Sequence, residues 1–124
     1  SDKGSYRGGV LAADGMIYLI PHHSKQVLRF DPTDHTASFV GKKFSGNSKW
    51  RGGVLGKDGC VYGIPSDAHR ILQFDPTTQI ASLVGDDLGG DCCKWAGGGV
   101  DFNGIIYGVP SHAEQILRFD PATE

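Results

Sequence analysis

The sequence predicts an all-β protein, a β-propeller built from four-stranded blades of about 45 residues, with about three blades in the chain. Three observations lead there. A run that opens on an aromatic residue and continues through glycine begins at Tyr6, Trp50 and Trp95, so successive starts lie 44 and 45 residues apart. Within each interval the apolar residues come in short runs of strand length, separated by turn dipeptides. Glycine is abundant, 19 of 124 residues, yet it recurs at the same places in each interval, which makes it structural punctuation and not low complexity. The blades are expected over 6–49, 50–94 and 95–124 of one domain covering 1–124, the third without its last strand.

Strand A opens each blade: Tyr6-Arg7-Gly8-Gly9-Val10-Leu11, Trp50-Arg51-Gly52-Gly53-Val54-Leu55 and Trp95-Ala96-Gly97-Gly98-Gly99-Val100. The innermost strands of a propeller crowd the axis, where a residue without a β-carbon lets backbones approach. Asp14-Gly15, Asp58-Gly59 and Asn103-Gly104 follow, dipeptides suited to a two-residue hairpin with positive φ at both central positions. Strand B is expected over 16–20, 60–64 and 105–109, ended by Pro21, Pro65 or Pro110 because proline cannot donate to a ladder. Strand C falls at 27–30, 71–74 and 116–119. Asp31-Pro32, Asp75-Pro76 and Asp120-Pro121 then turn the chain, each aspartate accepting from backbone two residues on. Strand D is expected at 37–40 and 81–84.

Propellers close with about four to eight blades. Three blades leave two apolar faces in water, so the chain is expected to pair with itself as a homodimer, two copies closing a six-bladed head-to-tail ring; a longer parent protein is the alternative. The apolar fraction of 39% is enough for a packed core if the repeats stack. A net charge of −2 with both signs interspersed, and no basic block, argues against a nucleic-acid partner. No apolar run approaches the ~20 residues of a membrane helix, so a soluble chain is expected. Cys60, Cys92 and Cys93 are too few and too oddly placed for a disulfide framework and are expected as free thiols, with a thiol or metal handle at Cys92 and Cys93 as the alternative.

The aromatic-Gly-Gly start, the Gly-x-Ile/Val-Tyr of strand B and the Leu-x-Phe-Asp-Pro that ends strand C resemble propeller repeats of the kelch, NHL, YVTN and streptogramin-lyase-like kinds across essentially the whole chain. Kelch repeats carry their Gly-Gly pair in strand B, whereas here Gly8-Gly9, Gly52-Gly53 and Gly97-Gly98 precede the hairpin turn. The resemblance implies the fold. Its streptogramin-lyase-like part also implies metal-assisted lyases with His and Glu near the axis.

Antiparallel blades gather the B-to-C loops and D-to-A connections at one end, and the connections over 41–49 and 85–94 are long and varied, so a site is expected there. Residues repeated in every blade, such as Tyr18, Tyr62 and Tyr107, are structural. Positions that differ between blades are His23, Asp67 and His112, then Lys25, His69 and Glu114; His22 is expected to be solvated. At the strand-A approach, Arg7, Lys49, Trp50, Arg51, Lys94 and Trp95 pair cations with aromatic faces. Such pairs either stack on a sugar or aromatic ligand or plug the wedge between blades. The leading expectation is a non-enzymatic binding or scaffold module that takes a glycan, peptide or small polar ligand through those six residues and needs no cofactor. The alternative is a metal-assisted lyase or lactonase-like hydrolase using His23, Asp67, His69, His112 and Glu114, with His23, Asp67 and His112 as metal ligands.

Overall fold

The computed structural model describes residues 5–123, in which eleven strands form three antiparallel sheets. The first holds β1 (Tyr6–Leu11), β2 (Ile17–Pro21), β3 (Val27–Asp31) and β4 (Thr36–Val40) in sequence order. The second repeats it with β5 (Trp50–Leu55), β6 (Val61–Pro65), β7 (Ile71–Asp75) and β8 (Ile80–Val84). The third has β9 (Trp95–Val100), β10 (Ile106–Pro110) and β11 (Leu117–Phe119). The chain is therefore all-β, a partial propeller of a few blades. Among the described residues no helix is long and apolar enough to cross a membrane.

The inner strands β1, β5 and β9 stand side by side, and glycine sets their distance. A β-carbon built on Gly8 would lie 2.8 Å from Cα of Gly52, and one on Gly52 would lie 2.7 Å from Cα of Gly97. No real β-carbon makes such a contact with backbone. Gly8, Gly52 and Gly97 also have φ of 93°, 86° and 72°, and the β1–β2 and β5–β6 registers slip next to them, between Tyr6 and Gly9 and between Trp50 and Gly53. Each strand A is thus bulged at its glycine pair, which twists the strand as it passes the axis.

The A-to-B hairpins differ from expectation. The amide of Gly15 bonds Ala12 O, and Ala12 N bonds Met16 O, so the loop has three residues, and Gly15 has positive φ while Asp14 does not. This is a type I turn closed by a left-handed glycine, not the two-residue turn. Asp14 is then left to do other work: its Oδ1 accepts from Met16 N and its Oδ2 from the Tyr18 hydroxyl at 2.6 Å. Asp58 and Tyr62 repeat the pair, while in the third blade Asp101 takes the part that Asn103 cannot. Burial and the Asp14 partner push the Tyr18 hydroxyl up to about 12. The C-to-D turns behave as read, with Asp31, Asp75 and Asp120 accepting from Thr33, Thr77 and Ala122.

Two apolar seams hold the sheets together. Tyr18, Ile20 and Val27 of the first blade meet Trp50, Leu72 and Phe74 of the second; Tyr62, Ile64 and Ile71 meet Trp95, Leu117 and Phe119 of the third. The same positions serve both seams, because each blade uses one face forward and the other back.

Two alanine substitutions separate backbone geometry from crowding. Gly15 has φ of 83° and nothing within 4 Å of an added β-carbon, so Gly15→Ala is expected to cost about 1 kcal/mol. Gly52→Ala meets the same φ cost and a backbone clash, and is expected to cost several times as much or to abolish folding. Urea denaturation of both variants measures the difference; equal midpoints would show that the inner strands are not held at glycine contact.

Candidate functional site

The B-to-C loops and D-to-A connections meet at one end of the blades, laced by backbone hydrogen bonds that cross the seams. Lys49 N donates to His22 O in the first blade, while Lys49 O accepts from Ser66 N and Ala68 N in the second. One blade on, Lys94 N donates to Ser66 O and Lys94 O accepts from Ser111 N and Ala113 N. Ser48 and Cys93, the residues before these lysines, have φ of 51° and 62°.

This lacing consumes most of the cation and aromatic set. Trp50 and Trp95 are buried, with indole N–H groups donating to Arg70 O and Gln115 O, and the Trp50 ring packs edge-on against Phe44. Lys49 is 4% exposed, and its ammonium donates to the carbonyls of Ser24 at 2.6 Å, Gly46 at 2.9 Å and His22 at 3.3 Å. Lys94 is equally enclosed and donates to Gly89 O and Asp91 O. Burial lowers the proton affinity of both lysines. The four side chains serve as internal clamps, although Lys49 and Trp50 also form part of the wall of a cleft. Of the expected ligand-binding set, Arg7 and Arg51 alone are exposed.

The loop residues also separate. His23 Nδ1 accepts from Ser48 N at 3.3 Å and Asp67 Oδ1 accepts from Cys93 N at 2.9 Å, so each fastens the left-handed residue of the following connection. Asp67 and His69 line a cleft of about 410 Å³ with Phe44, Trp50 and Arg70, whereas His23 lines another of about 380 Å³. His69 Nδ1 lies 3.0 Å from Asp87 Oδ1 at the surface, and His112 and Glu114 are exposed. His23, Asp67 and His112 do not gather around one point: among the described residues, the group of three with donor atoms within 4.8 Å of one another is Cys92, Cys93 and His112. Cys92 and Cys93 are bonded to each other, which corrects the expectation of free thiols; the connection turns sharply enough at Cys93 to bring neighbouring sulfurs together. Cys60 stays free, and burial pushes its thiol up to about 11.

His22 is buried, not solvated, and its surroundings make it the most specific polar group at this end. Its Nδ1 lies 3.0 Å from Trp50 O. A carbonyl only accepts, so Nδ1 carries the proton and Nε2 of the neutral ring bears a lone pair. Burial holds the imidazole below its usual proton affinity, and the charges of His23, Arg7 and Arg51 act in the same direction. The chain thus holds a buried neutral imidazole near the start of β5, within electrostatic reach of the exposed Arg7 and Arg51. The sequence carries a signal for it: blades two and three have Ser66 and Ser111 at this position, and only the first has histidine.

Two measurements test these assignments. Above pH 6.5 His22 is neutral in both folded and unfolded chains; as pH falls through 6.5, the unfolded chain takes a proton that the folded chain resists, so stability falls. Thermal melts from pH 8 to 5 should show that loss, and His22→Gln should shrink it. Lys49→Met, which strands three carbonyls, is expected to cost about 2 kcal/mol or more, whereas the exposed Lys25→Met should change stability by less than about 0.5 kcal/mol.

No protein-family model and no curated protein sequence matches the chain. Solved structures do. A streptogramin B lyase superposes with a TM-score of 0.77 at 14% identity, covering 98% of this chain and 39% of that one. A catalytically inactive His-to-Ala variant of virginiamycin B lyase from Staphylococcus aureus, solved with quinupristin, gives 0.77 at 11%, covering 98% and 40%. A gluconolactonase from Xanthomonas campestris gives 0.68 at 14%, covering 99% and 46%. The chain spans about two fifths of the length of the lyases it matches. The expectation of a kelch-like, non-enzymatic binding or scaffold module is corrected: the structures that the chain matches include lyases and a gluconolactonase. The chain is a partial β-propeller with the blade fold of the streptogramin B lyases.

Proposed function

We propose that the chain forms part of a propeller enzyme, a lyase or lactonase-like hydrolase, whose chemistry takes place where strands A begin. The observation that carries this reading is the His22 tautomer, a neutral base with Nδ1 anchored on Trp50 O and within electrostatic reach of Arg7 and Arg51. A lyase needs a base to take a proton from carbon next to a carbonyl while the leaving group departs, and a cation to hold the negative charge that builds on oxygen. A lactonase needs the same pair, with water as the proton donor and the ring carbonyl as the oxyanion. Nε2 of His22 suits the first role and the guanidiniums the second. His69, with Nδ1 turned to Asp87, offers a second imidazole at this end, and His112 and Glu114 add polar groups. The likeness of the fold to lyases and a lactonase supports the reading. A divalent cation does not fit His23, Asp67 and His112 together within one chain, because their donor atoms do not gather within reach of one ion.

The ring is completed, in this reading, by a second copy placed head to tail. Ile20 and Ile64 are 0% exposed in their seams, while Val109 at the same position of the third blade is 56% exposed. Ile116 stands open where Val27 and Ile71 are buried. On the first blade Ile17, Leu28 and Phe30 are only half-buried, although their counterparts Val61, Leu72 and Phe74 are fully enclosed. The two open faces are therefore the two halves of a seam. Joined twice, they give six blades with two copies of His22 at one mouth.

Turnover and mass test the two parts separately. The purified protein should open quinupristin or gluconolactone, and His22→Gln should lower kcat by about 10²-fold or more while its melting profile at pH 8 is kept; a variant that turns over like the parent removes His22 from the chemistry. Light scattering should give the mass of two chains. Nothing lies within 4 Å of a β-carbon on Gly97, so Gly97→Ala should leave the single chain folded yet split the dimer, and a variant that remains dimeric would rule out this ring.

A further inference from the structure

We propose that Cys92, Cys93 and His112 form a redox-gated site for a thiophilic cation of the zinc class, closed when the cysteines are bonded to each other and opened by their reduction. The two sulfurs and a ring nitrogen of His112 lie within 4.8 Å of one another, close enough for one ion to reach all three. They come from different elements, the second D-to-A connection and the third B-to-C loop, so the fold brings them together. Their backbones are fixed from several sides. His112 N donates to Cys93 O at 2.9 Å, Cys93 N donates to Asp67 Oδ1 at 2.9 Å, and the buried Lys94 beside them ties down Gly89 O and Asp91 O. The backbones that carry the donors are thus held in place before any ion arrives, so that only the side chains have to reorient on reduction, which lowers the ordering cost of binding.

The equivalent place one blade earlier holds no such set. Asn47 and Ser48 stand where Cys92 and Cys93 do, and Asp67 stands where His112 does. The hydrogen bonds between connection and loop are the same in both places, so the three donors are not needed to hold the backbone. Cys92 and His112 are also exposed, which leaves a path for an ion and for a reductant.

In the bonded state both sulfurs share their bonding pair with each other and offer no thiolate. A water-soluble phosphine supplies two electrons and becomes its oxide with oxygen from water; the disulfide takes the electrons and two protons and becomes two thiols. Zinc then displaces the two thiol protons, binding two thiolates and the neutral imidazole and leaving a fourth position for water. This proposal does not rest on the enzymatic reading: the two share His112 alone, and the metal site uses neither His22 nor the arginines.

The test uses the whole chain and cobalt(II) as a spectroscopic stand-in for zinc. Thiol titration should find one reactive thiol per chain, Cys60, in the denatured protein before reduction, and three after it. Reduced and freed of phosphine, the protein should bind one equivalent of cobalt with a sulfur-to-metal charge-transfer band, and zinc should displace it. The unreduced protein should show no such band. Cys92→Ser, an exposed position, should abolish the band, and His112→Ala should weaken binding at least tenfold while both variants keep the parent's β-sheet circular dichroism. Equal binding before and after reduction, no band in the reduced protein, or an unchanged affinity in His112→Ala would each overturn the proposal.

Discussion

The contact on which the fold depends is glycine against glycine at the axis. Gly8 faces Gly52 and Gly52 faces Gly97 at distances no β-carbon fits, so the inner strands approach as bare backbones. That approach sets the wedge angle between blades, and the wedge decides what fills it farther out: tyrosine and isoleucine from one blade, tryptophan and phenylalanine from the next. Large side chains suit the wide rim of a wedge, and glycine suits its point. The aromatic residue that opens each strand A and the glycines two and three residues later are therefore one device, with a bulge between them that changes the strand's course.

A second constraint follows from stacking the sheets face to face. Each D-to-A connection must cross a seam, and its carbonyls would be buried there without partners. The chain answers with a lysine. The ammonium groups of Lys49 and Lys94 gather carbonyls from the connection itself and, at Lys49, from the preceding blade's loop. An ammonium group has three donors and no acceptor, so it meets such a cluster more fully than a hydroxyl or amide would. The cost is desolvation of a charge, visible as the lowered proton affinity of both residues.

The repeat was legible because period and turn chemistry are local. Tyr6, Trp50 and Trp95 mark the starts, Pro21, Pro65 and Pro110 mark the last pairs of strand B, and the Asp-Pro pairs mark the turns, each readable without its neighbours in space. The hairpin type was less legible, because Asp14-Gly15 favours two different turns and the Tyr18 hydroxyl helps to hold the one that frees the carboxylate. The roles of Lys49 and Trp50 were hidden for a different reason. A lysine beside a tryptophan reads the same whether its partners are a ligand's oxygens or the protein's own carbonyls, and only the packing decides. His22 reads as a solvated loop residue because it stands next to the polar His23 in an exposed type of loop, although Ser66 and Ser111 mark it as the position where one blade departs from the others. The bond between Cys92 and Cys93 depends on the backbone turn at Cys93, which no residue pattern announces.

Repetition also explains where chemistry resides in such a chain. At the end made of A-to-B and C-to-D turns every aspartate is spent, on a backbone amide, a tyrosine hydroxyl or both, and the three blades are nearly alike. At the other end the backbone lacing is equally complete, yet it runs through main-chain atoms of Lys49, Ser66, Lys94 and Ser111 and asks little of the side chains around them. Histidine replaces serine at His22, cysteines replace Asn47 and Ser48 at the next connection, and histidine replaces Asp67 at His112, all without disturbing a seam. A propeller gains a base or a metal ligand most cheaply at positions of this kind, where the main chain holds the fold and the side chain is free to differ from one blade to the next.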